Sequence, residues 1–532
     1  MRGRFLFALG LLCALVLGLP AGCAAAESAE PVAITLSDRG SSCAGEAVTI
    51  EGDTVTIRAA GEYRLSGSLS DGQLVIDAPK DAKVRLILDG VTLIKNGHAA
   101  ILALSADKLI LESAAESENL IQSVGAFPRD GESKADGAVY ARCDLTLDGE
   151  GTLNISCLTG HAVVTRDDLR IKGGVVNLEA ALKGLYGKDS ITVDGGVVNL
   201  DVGTDGLYTD AGQSSGKGRI TVTGGVLNLL TQKDGLDASG DICIDGGELQ
   251  ISAGSGQEGK GLTAGGSIFL TGADIQINAV DDAVHAAGNV EISGSRVELT
   301  TGDDGVHADA LLLISGGIVT VRQSKEGFEA QRIEVSGGEM YVSARNDGFN
   351  AAGGRDGSGA DDSDGFDAAL EPCIRVSGGL IEVNADGDGF DSNGSLYVSG
   401  GEIYISGPTN GANGALDYET EAAITGGTVI AVGTPHMAVN FGRHSSQGSI
   451  LVKLDKVQPA GSFVAVTDSK GHILAGFEPE KKYSSVLISA SGMSVGSSFT
   501  VRAGEEKHSF TLDELICGQG YELTVKGRKT GS

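Results

Sequence analysis

Tryptophan is absent from this 532-residue chain, proline occurs 9 times, and aromatic residues make up only 4% of it. Basic residues are outnumbered: 40 Lys and Arg against 71 Asp and Glu leave a formal net charge of −31. That imbalance argues against nucleic acid and against electrostatic binding to anionic lipid, and it suits a chain that holds cations or simply stays soluble. No two cysteines have CxxC spacing, which speaks against a zinc ribbon. Low proline without a three-residue glycine period excludes a collagen-like chain, although glycine reaches 82 residues. Hydrophobic residues still form 41% of the sequence, enough for a core and too much for general disorder.

Behind Arg2 and Arg4, residues 5–19 form an apolar run of 15 residues. That length is short for a membrane span and right for a secretory signal, expected over residues 1–26. Cys23 follows Ala21 and Gly22 and reads as a bacterial lipoprotein processing site, with Pro20 where leucine is usual. Lipidation at Cys23 would place the protein outside the cytoplasm, tethered to a membrane only through that anchor. Ordinary cleavage near Ala24, Ala25 and Ala26 is the alternative. Cys143 and Cys157 share alternation parity with neighbouring Leu and Ile and read as small core residues.

A "GG" pair recurs from Gly173 to Gly426, often at intervals of 21 or 22 residues. Alternating apolar runs flank it, "ITVDGG" before and "VVNLDV" after, and β-branched residues at period two mean strands. A third short element lies around "DGVHA", and no helical periodicity separates the strands. Parallel strands joined by further strands must coil. The expected fold is all-β: a right-handed parallel β-helix, a three-faced solenoid with about 22 residues per coil. It is expected over residues 31–443, with a small β-sandwich-like C-terminal domain over 444–532, where the "GG" grammar stops.

The short elements carry the chemistry. "VDDAVHA" and "GDDGVHA" recur 22 residues apart. Aligning all such segments gives one row with Asp282, Asp304, Glu326, Asp347 and Asp388, and a second with His285, His307, Glu329, Asn350 and Asp391. The residue between the rows is Leu, Val or Phe and should point inward, so the second row points outward. Like charges on coils about 4.8 Å apart repel by about 3–4 kcal/mol at an effective dielectric of 20. Water and salt offset this on an exposed face, and a cation offsets it better. Oxygen donors from Asp281, Asp282, Asp303, Asp304, Glu326, Glu329, Asp347, Asn350, Asp388 and Asp391 favour calcium. Any single Asp-Gly is ordinary turn chemistry, but the doubled acids exceed what a turn needs. The insertion at 354–368, with Asp356, Asp361, Asp362, Asp364 and Asp367, resembles an acidic calcium loop without EF-hand spacing. His285 and His307 read as polar surface or as transition-metal ligands.

Taken together, "GEYRLSGSL", "KVRLILDGVTL", "DDGVHADALLLISGG", "KEGFEAQRIEVSGG" and "GDGFDSNGSLYVSGG" resemble a family of extracellular bacterial carbohydrate-binding β-helix proteins. The family is related in fold to calcium-dependent pectate lyases. The resemblance implies calcium on the helix and plant-wall polysaccharides as partners, cellulose and acidic polygalacturonate among them. The expected function is non-catalytic, calcium-dependent binding of polysaccharide, with Lys325, Arg345, Tyr341 and Tyr404 as candidate sugar contacts. Two alternatives stay open. One is a polysaccharide lyase using Lys325 as base, although neighbouring acids would stabilise its charge. The other is an adhesin whose solenoid is only a spacer.

Overall fold

The computed structural model describes residues 30–128, 135–211, 216–256, 258–351 and 371–519. The signal segment with Cys23 and the acidic insertion at 354–368 lie outside these residues. The described chain is all-β and coils as a parallel β-helix. One coil illustrates the plan. Val284–Ala286 forms the short face, Val290–Ile292 the middle face and Arg296–Thr301 the long face. Each strand pairs in parallel with its counterpart one coil on, so that Val284 meets Val306, Val290 meets Leu312 and Arg296 meets Ile318.

Alternation decides what lies inside. On the long face Val297 and Leu299 are buried while Glu298 between them is turned outward. On the short face Phe328, Phe349 and Phe390 stack along the axis with ring centroids 4.8 and 4.6 Å apart, all at most 1% exposed. Cys143 and Cys157 are buried core residues, and the six described cysteines are unpaired.

The two glycines of each "GG" corner answer different demands. Gly196 has φ of +83°, a left-handed backbone that side chains disfavour. At Gly400 a Cβ would lie 2.2 Å from the Ser377 carbonyl oxygen of the preceding coil. The glycine of "DGF" is a third case. Gly348 is not left-handed, but a Cβ there would lie 2.3 Å from Val383 and 2.6 Å from the Gly389 carbonyl. Close approach of coils, rather than turn conformation, requires it.

Beyond the last coil the strand direction reverses. Thr428–Gly433 pairs antiparallel with Tyr483–Ser489, which pairs antiparallel with Ser449–Gln458. A separate four-stranded antiparallel sheet contains Val464–Asp468, Ile473–Phe477, Ser498–Ala503 and Glu506–Thr511. The two layers share a core that includes Ile430, Val452, Val466 and Phe499. This sandwich-like unit grows from the final rung and covers the edge that an open solenoid would expose.

Phe349 sits in the middle of the aromatic stack. Phe349→Ala should lower stability by about 3–5 kcal/mol in denaturant unfolding, without changing the far-ultraviolet β signal of the folded chain.

Candidate functional site

The acidic rows stack as their sequence alignment implies. Backbone bonds join Ala283 N–H to the Asp304 carbonyl, Gly305 to Glu326, Gly327 to Asp347 and Gly348 to Asp388. The second row aligns His285 with His307, Glu329, Asn350, Asp391 and then Asp417. Its side chains leave the core, but the expectation of an exposed face does not hold throughout. Asp282 and Asp304 are fully buried, His307 is 1% exposed and Glu329 3%, and Glu326, Asp347 and Asn350 are also buried.

One carboxylate oxygen in several of these residues is spent on the backbone. Asp282 accepts the Asp304 N–H at 3.1 Å, Asp347 the Asp388 N–H at 2.6 Å, and Asp388 the N–H of Gly414. Asp234 does the same for Lys260 at 2.7 Å. These bonds tie one coil to the next and account for a carboxylate at the first-row position independently of any ligand.

Cations offset only part of the charge. Lys260 contacts Asp282 and lies 3.3 Å from Asp281, and His285 Nδ1 lies 2.9 Å from Asp282. Burial opposes ionisation of Asp282, but His285, Lys260 and His307 hold its carboxyl below the usual range. Lys325 pairs with Asp303 at 3.0 Å. His307 is bracketed by Asp304 at 3.3 Å on Nδ1 and Asp309 at 3.3 Å on Nε2, with Glu329 at 3.8 Å. Burial would deprotonate it, but these acids hold the imidazole protonated, up to about 11.

Further along, the acids are poorly compensated. Burial, then a hydrogen bond with Asp304 and the charge of Glu326, pushes Glu329 up to about 10. Burial raises Asp347 to about 7, and Asp388 likewise to about 7, with neighbouring carboxylates adding to it. Two oxygens here are buried without a hydrogen-bond partner, Oδ1 of Asp304 and Oδ1 of Asn350, while Oδ1 of Asp303 faces Lys325. Asn350 Nδ2 donates to Glu326 at 2.6 Å, which leaves its own oxygen free for a cation. Asp304, His307 and Glu329 place ligand atoms within 4.8 Å of one another, as do Asp281, Asp282 and Asp303. Partnerless carboxylate and amide oxygens fit a hard divalent ion, while the two imidazoles, stacked 4.6 Å apart, would add a softer ligand at one end.

The four candidate sugar contacts divide into two places. Lys325 and Arg345 line a depression of about 620 Å³ with Asp281 and Asp303, beside the ladder. Arg345 is braced there by the carbonyls of Ser324 (3.2 Å) and Gly302 (2.5 Å). Tyr341 and Tyr404 lie on the long face. Tyr341 donates to Glu339 at 3.1 Å, and Tyr404 stacks on Phe477 of the C-terminal sheet at 5.2 Å.

Three features lie outside the residues singled out as candidate ligands. Asp309 follows "VHA" where the previous coil has Ala287, and it lies 3.3 Å from His307 and 3.7 Å from His285. Asp417 extends the second row by one coil. Asp205, Asp234 and Asp237 form a separate acidic group, with Asp237 raised to about 7 by burial and by its two neighbours. The last two lay in alignable positions and were legible there; Asp309 stands at a corner whose composition varies and left no signal.

A parallel β-helix carrying a partly buried carboxylate row along one face defines the class of this protein. The family model for carbohydrate-binding domain-containing proteins matches residues 51–305 and 303–525, and the chain belongs to that family. A carbohydrate-binding domain-containing protein of Acetivibrio thermocellus is 32% identical over 130 residues, 24% of this chain and 45% of the relative. The chain thus spans under half the length of that curated relative. A polysaccharide lyase-like protein from C. thermocellum, solved as a gadolinium derivative, aligns over 53% of this chain and 96% of its own. The identity is 24% and the TM-score 0.39.

Asp347 and Asp388 yield a pH dependence with a definite sign. Their folded pKa near 7 lies above the unfolded value of about 3.9. Their contribution to stability is therefore full below about pH 4 and is lost as pH rises through 7. In chelator, Asp347→Asn with Asp388→Asn should flatten the fall in melting temperature between pH 5 and pH 8. An unchanged slope would remove these residues from the account.

Proposed function

We propose that this protein is a non-catalytic, calcium-dependent binder of extracellular polysaccharide, acting on acidic chains through the ladder. The family membership supports carbohydrate as the partner. The observation that carries calcium is the pair of buried, partnerless oxygens on Asp304 and Asn350, beside Glu329, whose carboxyl burial pushes up to about 10. Glu326, Glu329, Asp304 and Asn350 would hold the ion, with Asp347 one coil on. Calcium in that row would supply positive charge for a uronate carboxylate, which a chain of net charge −31 otherwise repels. Lys325 and Arg345, in the adjoining depression, would meet further carboxylates. Lipidation at Cys23 would keep the binder at the cell surface.

Lyase chemistry needs a base beside the ladder. Burial works against a charged Lys325, but its hydrogen bond to Asp303 and the surrounding acids raise its pKa, so it keeps its proton. Arg345 is engaged by two backbone carbonyls. Neither supplies an unprotonated amine.

Retention on polygalacturonate should require calcium and be lost in chelator, and Glu329→Gln should weaken it about tenfold. Incubation with polygalacturonate and calcium should yield no unsaturated uronide absorbance. Retention indifferent to chelator would overturn the calcium bridge; unsaturated product would overturn the non-catalytic reading. Calcium should also raise the melting temperature more at pH 8 than at pH 5, because protons compete for the same oxygens.

A further inference from the structure

Two histidines of the short face stand apart from the oxygen-rich part of the ladder. His285 and His307 hold the same register on adjacent coils, and their rings stack 4.6 Å apart with an interplanar angle of 8°. Each turns Nδ1 towards the aspartate three residues before it. His285 lies 2.9 Å from Asp282, and His307 3.3 Å from Asp304. Each turns Nε2 the other way, towards Oδ1 of Asp309, which is 3.7 Å from His285 and 3.3 Å from His307. No lysine or arginine among the described residues pairs with Asp309. A register shift puts Asp309 there. The strand Val306–Ile314 pairs with Phe328–Val335 as far as Ala308, skips, and resumes with Leu311 opposite Arg332. The extra residue at that corner makes a bulge, and bulges re-aim side chains.

We propose that Nε2 of His285, Nε2 of His307 and a carboxylate oxygen of Asp309 form a site for a borderline-soft transition-metal dication of the zinc type. The donor set is the first argument. Two imidazoles and one carboxylate suit zinc and its neighbours, whereas calcium takes about six to eight oxygens. The occupant thus differs from that of the cluster around Asp304, Glu326, Glu329 and Asn350, and the site does not rest on calcium being there. The second argument is support from behind the rings. A metal-bound imidazole commonly gives its other N–H to a carboxylate, which fixes the tautomer and aims the free lone pair. Asp282 and Asp304 are placed to do this for both rings.

The third argument is distance. A tetrahedral zinc with bonds of about 2.0–2.1 Å holds its ligand atoms about 3.3 Å apart. The edge from His307 to Asp309 is already 3.3 Å, and that from His285 is 3.7 Å. Both exceed the about 2.7–2.9 Å of a charge-assisted N–H···O bond, so neither ring has drawn Asp309 in as a direct partner. Parallel rings point their Nε2 lone pairs side by side, and one ring must turn for the two to converge. The His285 side chain is 21% exposed against 1% for His307, so His285 has the room. Its exposure, with that of Asp309, leaves one side open to solvent for a fourth ligand. Both rings bind metal as neutral imidazoles, so any proton held on Nε2 leaves to solvent as the metal enters.

Calorimetric titration of the whole chain with zinc chloride, in excess calcium chloride, tests the proposal. The parent should bind one zinc that calcium does not displace. Cobalt(II) in its place should give the intense visible bands of a tetrahedral site. Asp309→Asn keeps the shape of the side chain and should weaken zinc binding by at least about tenfold. His285→Gln, at a partly exposed position, should do the same, and it decides if Asp309→Asn fails to fold. Calcium-dependent retention on polygalacturonate, measured without zinc, should survive Asp309→Asn, so a failure of this site and a failure of the oxygen cluster give different patterns. A parent that binds no zinc in excess calcium, or zinc held by either folded variant as tightly as by the parent, would overturn the proposal.

Discussion

Parallel pairing between coils is the constraint on which the rest of the molecule depends. It puts equivalent side chains about 4.8 Å apart, coil after coil. An apolar side chain repeated at that distance becomes a continuous core, as Phe328, Phe349 and Phe390 do. A carboxylate repeated at that distance becomes an electrostatic load that must be met by a backbone N–H, a lysine, a proton or a cation. An amide repeated at that distance satisfies itself. The three behaviours on one scaffold follow from residue chemistry alone, because the spacing is the same for all.

The carboxylate row uses three of these answers in different places. Around Asp282, Lys260 and His285 neutralise it. Around His307 one imidazolium is shared among Asp304, Asp309 and Glu329. From Glu329 to Asp388 burial leaves protons as the default counter-charge. Between Asp282 and Asp388 the row is thus graded along the axis, from ion pairs to sites that hold protons. At sites of that last kind any cation must displace a proton, so its binding would strengthen as pH rises.

Much of this was legible in the sequence. The coil, the inward phenylalanines, the corner glycines and the membership of both acidic rows follow from the repeat, since a fixed period fixes which residues stack. The sandwich-like end was readable from the loss of "GG". What the repeat could not show was depth. Outward orientation from a strand does not mean exposure when flanking coils carry side chains long enough to close over it, and so His307 and Asp304 are buried. Nor could it separate the two tasks of an aspartate such as Asp282, which ties down the next coil with one oxygen and pairs with Lys260 and His285 through the other. The register of Asn154, Asn177, Asn199 and Asn228 was present in "LNI", "VNL", "VNL" and "LNL", but outward polar residues on strands are so common that nothing marked these as a hydrogen-bonded row.

The hydrogen bonds of that asparagine row have one more property. Asn177 donates to Asn154, Asn199 to Asn177 and Asn228 to Asn199, so every link points the same way along the axis. The amide dipoles add instead of cancelling, and the face acquires a head and a tail that a row of hydroxyls or methyls would lack. The strand direction of the solenoid is thereby expressed on its surface as a polarity.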